Sequence, residues 1–275
     1  PRIIRWRVLS RDGHVTSGVI APPGERVSVP ENPMAEVTAV VGRTLVVVAL
    51  AVILGLVMLR WGVVGAAWRD GGLVPPGVPD DADAFKARAF PILEWAGNRW
   101  WDALWVAVTA WGVGLVATVV GTLWALDTTD IGGLLLHARL GQAAAVSTLL
   151  GLVTVGLGLW ITRREDGDDP LPPAWQAVAL GGPAAVGLVL VSWSGHAATG
   201  GDAALNIALD ALHSGATAAW IGGLVGLITL LLPAGDRLDE DDRLRLVSAA
   251  VVRFSALGLV AVAVLVITGV YRAIA

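Results

Sequence analysis

Residues 38–59 read TAVVGRTLVVVALAVILGLVML, an apolar stretch interrupted by a single charged side chain, Arg43. A transmembrane helix needs about 20 predominantly apolar residues to cross the hydrocarbon core of a bilayer. Similar stretches recur at approximately residues 103–126, 140–161, 174–193, 205–232 and 246–271. The sequence therefore predicts an all-α polytopic membrane protein, with a bundle of about six transmembrane helices in contact with the lipid bilayer.

The overall composition supports this fold class and excludes several functions. The 275 residues are 55% hydrophobic and only 15% charged, whereas soluble domains carry about a quarter charged residues. A net charge of −4 offers no basic footprint for nucleic acid. The absence of cysteine excludes disulfides, thiolate metal sites and cysteine nucleophiles. No phosphate-binding loop, dinucleotide fingerprint or hydrolase motif is present, so we do not expect an enzyme.

Residues 1–29 differ in character from the rest of the chain. Ile3–Leu9 and Val15–Ile20 have the composition of short strands, and Asp12-Gly13 between them is a hairpin signal. Prolines 22, 23, 30 and 33 then mark a connection. We assign residues 30–37 to a linker and residues 38–275 to the membrane domain. The chain begins without Met or a signal peptide, so we expect it to be part of a longer protein.

The connections between the spans predict a topology. Residues 82–101 mix charged with apolar and aromatic side chains, which indicates a helix lying on the membrane surface. Lys and Arg concentrate in the first, third and fifth connections, which predicts that these three are cytoplasmic. The N-terminal segment would then lie on the outer face, together with all four histidines, namely His14, His137, His196 and His213.

The fifth predicted span carries a polar stripe. Its members are spaced by four, three, four and three residues, which places them on one helical face: Asn206, Asp210, His213, Thr217 and Trp220. An ionisable residue within a span costs roughly 2.5–3.5 kcal/mol on insertion scales, so it normally faces the bundle interior. Asp210 could orient His213 as a metal ligand or bind metal itself. The alternative is a hydrogen-bonded cluster between helices that binds no ligand.

Two further histidines, His196 and His14, are candidate metal ligands. His196 follows the fourth span, and the short connection after it could bring its ring toward Asp210 and His213. Asp12-Gly13-His14 could present a carboxylate oxygen and an imidazole nitrogen on a rigid hairpin, a donor set that suits Cu(II). The simpler interpretations are a solvated loop histidine for His196, and a type I′ turn followed by an exposed histidine for Asp12-Gly13-His14.

Two segments resemble known copper-handling families. Residues 6–14, WRVLSRDGH, followed by Ser17-Gly18, resemble the C-terminal end of CopC-type copper-binding domains, with Val15 where that family usually has proline. The membrane part resembles the CopD family in three places: SGHAA at residues 194–198, DALH at 210–213 followed by WIGGL at 220–224, and RFS at 253–255 followed by Thr268-Gly269. These motifs occur in the order found in CopC–CopD fusion proteins.

The resemblance implies a copper-binding β-sandwich on the periplasmic side, joined to a membrane protein that moves copper across the cytoplasmic membrane. It also implies that Asp12 and His14 are copper ligands, and that residues 1–29 are the last strands of the CopC-like domain. Copper would be the ion handled, and periplasmic copper carriers would be possible partners. A role for His137 is left open.

Two other functions fit the same sequence. A haem-binding electron-transfer protein would need two histidines at matched depth on facing helices, and only His213 lies clearly within a span. A structural or assembly protein would tolerate replacement of Asp210 and His213. An absorbance spectrum would separate the first alternative from copper binding, because haem gives a Soret band.

Overall fold

The computed structural model describes residues 3–22, 27, 32–66, 82–164, 173–199 and 201–274. Six helical segments are long and apolar enough to cross a membrane: Pro33–Val64, Ala87–Leu126, Arg139–Thr162, Trp175–Ser194, Ala203–Gly235 and Glu240–Ile274. The predicted bundle of six such helices is confirmed. Parts of the predicted N-terminal segment (residues 23–26 and 28–29), of the predicted linker (residues 30–31) and of the first connection (residues 67–81, with Arg69) lie outside the described residues.

The N-terminal segment forms the predicted hairpin. Strands β1 (Ile4–Leu9) and β2 (Val15–Ile20) pair antiparallel, with Leu9 opposite Val15. The expected type I′ turn is wrong, because that turn needs positive φ at both central residues. The Ser10 amide instead donates to the His14 carbonyl at 2.8 Å, which closes a three-residue loop. Gly13, at φ +83°, is the only loop residue in the left-handed region, which glycine adopts without steric cost.

Helix α1 (Pro33–Val57) is the central element of the bundle. It begins five residues before the predicted span, because Asn32 caps its first turn through the Ala35 amide at 3.2 Å. It ends in a π-helical turn, Met58–Val64. Along its length it packs against the second, fourth and fifth spans. Its buried side chains, Leu50 and Ile53 among them, form the middle of the main apolar core.

Helix α2 (Ala82–Leu126) corrects one prediction. Residues 82–101 do not form a separate surface helix but continue without a break into the second span. The physical reason is burial: Phe85, Ala89 and Leu93 pack into an apolar cluster with Leu246 and Phe254 of the last helix. Burial of that apolar face anchors the amphipathic segment to the bundle as an extension of the span.

The remaining helices complete the bundle. They are α3 (Ile131–His137), α4 (Arg139–Thr162), α5 (Trp175–Ser194), α6 (Ala203–Thr217) and α7 (Glu240–Ile274). Beyond α6 the fifth span continues to Gly235 through two π-helical turns, Ala218–Gly222 and Leu227–Leu231. Single π-turns inside helices are frequent at functional sites, and they also adjust side-chain register.

Glycine allows α1 and the fifth span to cross at close range. A Cβ placed on Gly55 would lie 2.5 Å from the Gly223 amide nitrogen, and one on Gly222 would lie 2.5 Å from the Ala51 carbonyl oxygen. Only a residue without a side chain fits at either position. Small residues are the usual means by which membrane helices approach closely, and here they fix the crossing of two central helices.

Candidate metal centre

Three potential ligands meet at one end of the bundle. The nearest ligand atoms of Asp12, His14 and His196 all lie within 4.8 Å of one another. The His196 Nε2 is 3.3 Å from the Asp12 Oδ2, and the His14 and His196 ring centroids are 5.0 Å apart. Among the residues that the structure describes, this is the single group of three or more histidines and carboxylates with such spacing. It joins the hairpin to the membrane domain.

The hairpin loop presents two of these ligands from a hydrogen-bonded frame. The Ser10 hydroxyl donates to Asp12 Oδ1 and also lies 2.8 Å from the His14 carbonyl oxygen. The His14 amide donates to the Ser10 Oγ at 3.1 Å. One serine therefore ties together both ends of the loop and orients the carboxylate. This role of Ser10 was not predicted, although serine hydroxyls beside a turn commonly bond to its backbone.

The third ligand is placed by the end of α5. After Ser194 the backbone becomes extended at Gly195, and a short 3-10 turn, His196–Ala198, follows. The Thr199 hydroxyl donates to the His196 carbonyl at 2.7 Å, and Arg139 donates to the Ala198 carbonyl at 3.3 Å. These bonds fix the backbone of the turn, so His196 projects toward the hairpin from a braced position.

The hairpin is anchored to the bundle by two arginines. Arg43 of α1 donates from Nη2 to the Gly13 carbonyl, and Arg7 of β1 lies 3.4 Å from the Asp127 carboxylate in the connection after α2. The loops that contain Asp127 and His196 therefore lie at the same end of the bundle as the hairpin. The predicted clustering of these segments on one side agrees with this arrangement.

The Asp12 carboxyl is held in its ionised form. Its pKa is lowered from 3.8, chiefly by the hydrogen bond from the Ser10 hydroxyl. The His14 amide and the positive charges of His14 and His196 lower it further, while partial burial opposes the shift. A carboxyl with a depressed pKa is ionised throughout the physiological range. One carboxylate oxygen and two imidazole nitrogens form a donor set that suits a divalent transition metal such as Cu(II) or Zn(II).

A cavity of about 150 Å³ opens directly beneath these ligands. The three ligands and Arg43 line it at the hairpin end, and the hydroxyl-bearing residues Thr118, Ser147 and Ser194 line it within the bundle. Most of the remaining wall is aliphatic, from α1, α2, α4 and α5. The candidate metal centre therefore lies at the mouth of a partly polar space between four helices.

The polar stripe of the fifth span has other partners than expected. Asp210 pairs with Arg272 of α7 at 2.6 Å, and His213 Nδ1 lies 2.9 Å from the Thr268 hydroxyl oxygen. The expected contact of His196 with Asp210 and His213 is replaced by its contact with the hairpin. The reason is that α7 packs along α6 and supplies polar partners, whereas the hairpin covers the end of α5. Arg272 was not singled out from the sequence, and Thr268 was named only as part of the Thr268-Gly269 motif, although both are polar residues in an apolar segment.

The other members of the stripe are not part of the three-ligand group. The Thr217 hydroxyl donates to the His213 carbonyl at 2.9 Å within its own helix. Trp220 lies beside Gly258 of α7, and Asn206 is half-buried. His137 is exposed at the end of α3. Comparison with protein-family models, with curated proteins and with solved structures finds no match to this chain.

Proposed function

We propose that this protein binds copper at the outer face of the cytoplasmic membrane and delivers it into the membrane domain. One observation carries the proposal: Asp12 and His14 on the hairpin meet His196 of the bundle in a single group of potential ligands. The sequence resemblance to copper-handling proteins pointed to both segments separately, and the structure brings them together.

The chemistry of the donor set supports copper. Two imidazole nitrogens and a carboxylate oxygen suit tetragonal Cu(II), and affinities of such sites for divalent metals rise toward copper along the first transition series. The chain has no cysteine and only Met34 and Met58, and neither methionine is among the cavity-lining residues. We therefore assign the site to Cu(II) rather than to Cu(I), which prefers sulfur ligands.

The role proposed is binding and transport rather than catalysis. The ligands lie at the mouth of a cavity between α1, α2, α4 and α5, which gives a bound ion a path toward the bundle interior. Delivery by periplasmic copper carriers fits the exposure of His14 and His196, because both rings are accessible from outside the bundle.

Metal titration of the purified full chain tests the proposal. Wild type should bind one Cu(II) with an affinity that falls at least about 10- to 100-fold in His14→Ala and in His196→Ala, since loss of a residue that only supports a ligand already costs that much. His137→Ala is the matched control, because His137 is exposed and lines a pocket with Leu9 of the hairpin, but lies outside the cluster. Equal affinity in all four proteins would refute the proposal. A Soret band in the purified protein would indicate haem instead.

Topology is tested separately in this cysteine-free chain. Single cysteines at Asp130 and Thr199 should react with an impermeant thiol reagent in intact cells, whereas one at Asp236, in the connection before α7, should not. Asp166, which the sequence analysis places on the inner side, lies outside the described residues. Reaction at Asp236 with protection at Thr199 would reverse the orientation and place the candidate centre inside the cell.

A further inference from the structure

An arginine of α1, Arg43, lies where this membrane-spanning helix meets the candidate metal centre. Arg43 is the charged residue within the apolar stretch of α1, and such a residue requires a partner because an unpaired charge within a span is costly. Its Nη2 donates to the Gly13 carbonyl of the hairpin. Its Nε is buried and has no hydrogen-bond partner. The guanidinium is thus only partly satisfied by hydrogen bonds.

The negative charge that compensates Arg43 belongs to Asp12, one of the three proposed metal ligands. Asp12 directly precedes Gly13, whose carbonyl accepts the hydrogen bond from Arg43, and the Asp12 carboxylate and Arg43 guanidinium line the same cavity as His14 and His196. Asp12 is the one carboxylate among the described residues that line this cavity. Without a metal, the pair Asp12 and Arg43 is close to neutral.

A divalent ion changes this balance. An ion bound by Asp12, His14 and His196 turns the ligand group from a net negative charge into a net positive one. Arg43 then faces repulsion where it had attraction, because it lines the same cavity as the three ligands. The guanidinium and the metal ion therefore compete for the same carboxylate.

We propose that Arg43 is an internal cation that occupies the mouth of the cavity in the metal-free protein, sets the affinity of the metal centre, and is displaced when a divalent ion binds. This inference rests on the proposed metal site. In this proposal Arg43 controls the affinity of the metal centre without being a ligand. Its charge keeps the affinity low enough for a bound ion to leave, and its displacement clears the entrance to the cavity.

Metal titration of charge variants tests the inference. Arg43→Gln keeps a hydrogen-bond donor for the Gly13 carbonyl but removes the charge, and Arg43→Lys keeps the charge. At low ionic strength Arg43→Gln should bind Zn(II) or Cu(II) about tenfold more tightly than wild type, since unit charges a few Å apart interact strongly enough to change affinity by that order. Arg43→Lys should bind like wild type, which a role limited to guanidinium packing would not predict.

The dependence on salt provides a second measurement that does not need a variant. Because the wild-type site is close to neutral before it binds metal, its affinity should change less than about twofold between 20 and 300 mM sodium nitrate, conditions that shorten the screening length several-fold. The affinity of Arg43→Gln should fall over the same range, since its site is negative. A steep fall in wild type would overturn the inference even if Arg43→Gln did not fold.

The remaining outcomes are also decisive. Weaker binding by Arg43→Gln would mean that Arg43 acts only by holding the hairpin, and equal binding would mean that its charge does not reach the ion. Either result overturns the inference while leaving the metal site in place, provided that His14→Ala and His196→Ala weaken binding. Failure of those two histidine variants to weaken binding would instead refute the proposed function.

Discussion

The crossing of α1 and the fifth span gives a prediction whose size can be worked from the structure. In Gly55→Ala the new methyl group would lie 2.5 Å from the Gly223 amide nitrogen and closer still to the backbone of Gly222. Carbon atoms in contact lie about 3.5–4.0 Å apart, so the two helices must separate by about 1 Å. Neither neighbour can rotate away, because both contacts are with backbone atoms.

Overpacking of this kind typically costs about 1–3 kcal/mol, and the separation also loosens contacts along the rest of the crossing. The helix propensity of alanine over glycine returns up to about 1 kcal/mol. We therefore expect a net loss of about 2 kcal/mol. For a chain of this size that corresponds to a drop of roughly 4–8 °C in the midpoint of thermal unfolding.

Tryptophan fluorescence during heating in a non-ionic detergent measures this midpoint. Gly62→Ala is the matched control, because Gly62 lies on the same span and a Cβ there meets nothing within 4 Å. The control should unfold at the wild-type temperature or slightly above it. A Gly55→Ala midpoint equal to that of Gly62→Ala would refute the close crossing of the two helices.

Three further predictions concern charges and hydrogen bonds. Arg88→Ala removes the bidentate partner of Asp242, whose side chain is only 3% exposed, and should destabilise the protein by about 2 kcal/mol or more. The control Arg243→Ala breaks an exposed ion pair and should cost less than about 1 kcal/mol in the same thermal assay. His213→Ala should leave the affinity for Cu(II) within about twofold of wild type, since its ring contacts α7 rather than the three-ligand group; a large loss would return the metal site to the fifth span. Ser10→Ala should raise the Asp12 pKa toward its ordinary value, because it removes the main cause of the depression. It should also weaken Cu(II) binding several-fold at pH 7 by loosening the loop that Ser10 closes, and binding equal to wild type would contradict this role.

The pH dependence of metal binding follows from the ionisation of the ligands. A depressed carboxyl pKa means that Asp12 stays ionised until the pH falls below about 3.8, so the carboxylate is available as a ligand at every physiological pH. Ionisation of Asp12 should therefore produce no step in the metal affinity at physiological pH.

Local sequence patterns were sufficient to predict the spans and the hairpin. Apolar runs of bilayer length and strand composition around Asp12-Gly13 are properties of neighbouring residues, and six apolar helices and an antiparallel hairpin are found where they were expected. The extent of α2 was not predictable in this way. The charges among residues 82–101 suggested a boundary with solvent, whereas the burial of Phe85 against α7 depends on residues far along the chain.

The candidate metal centre was also predictable only in part from local sequence. The sequence marked Asp12, His14 and His196 individually, but the short connection after the fourth span favoured His196 beside His213. Which histidine meets which carboxylate depends on how the hairpin docks on the bundle, and that docking is determined by contacts such as the one from Arg43 to the Gly13 carbonyl. Long-range contacts of this type leave no periodic signal in the sequence.

The most direct test of the central claim is the electron paramagnetic resonance spectrum of Cu(II) bound to the full chain in detergent. If the hairpin and the bundle share one metal ion, the spectrum should show a tetragonal Cu(II) coupled to two imidazole nitrogens. His14→Ala and His196→Ala should each reduce this to one nitrogen, and His137→Ala should leave it unchanged. A spectrum that keeps both nitrogens in His196→Ala would contradict the account, because the ion would then be bound without the membrane domain.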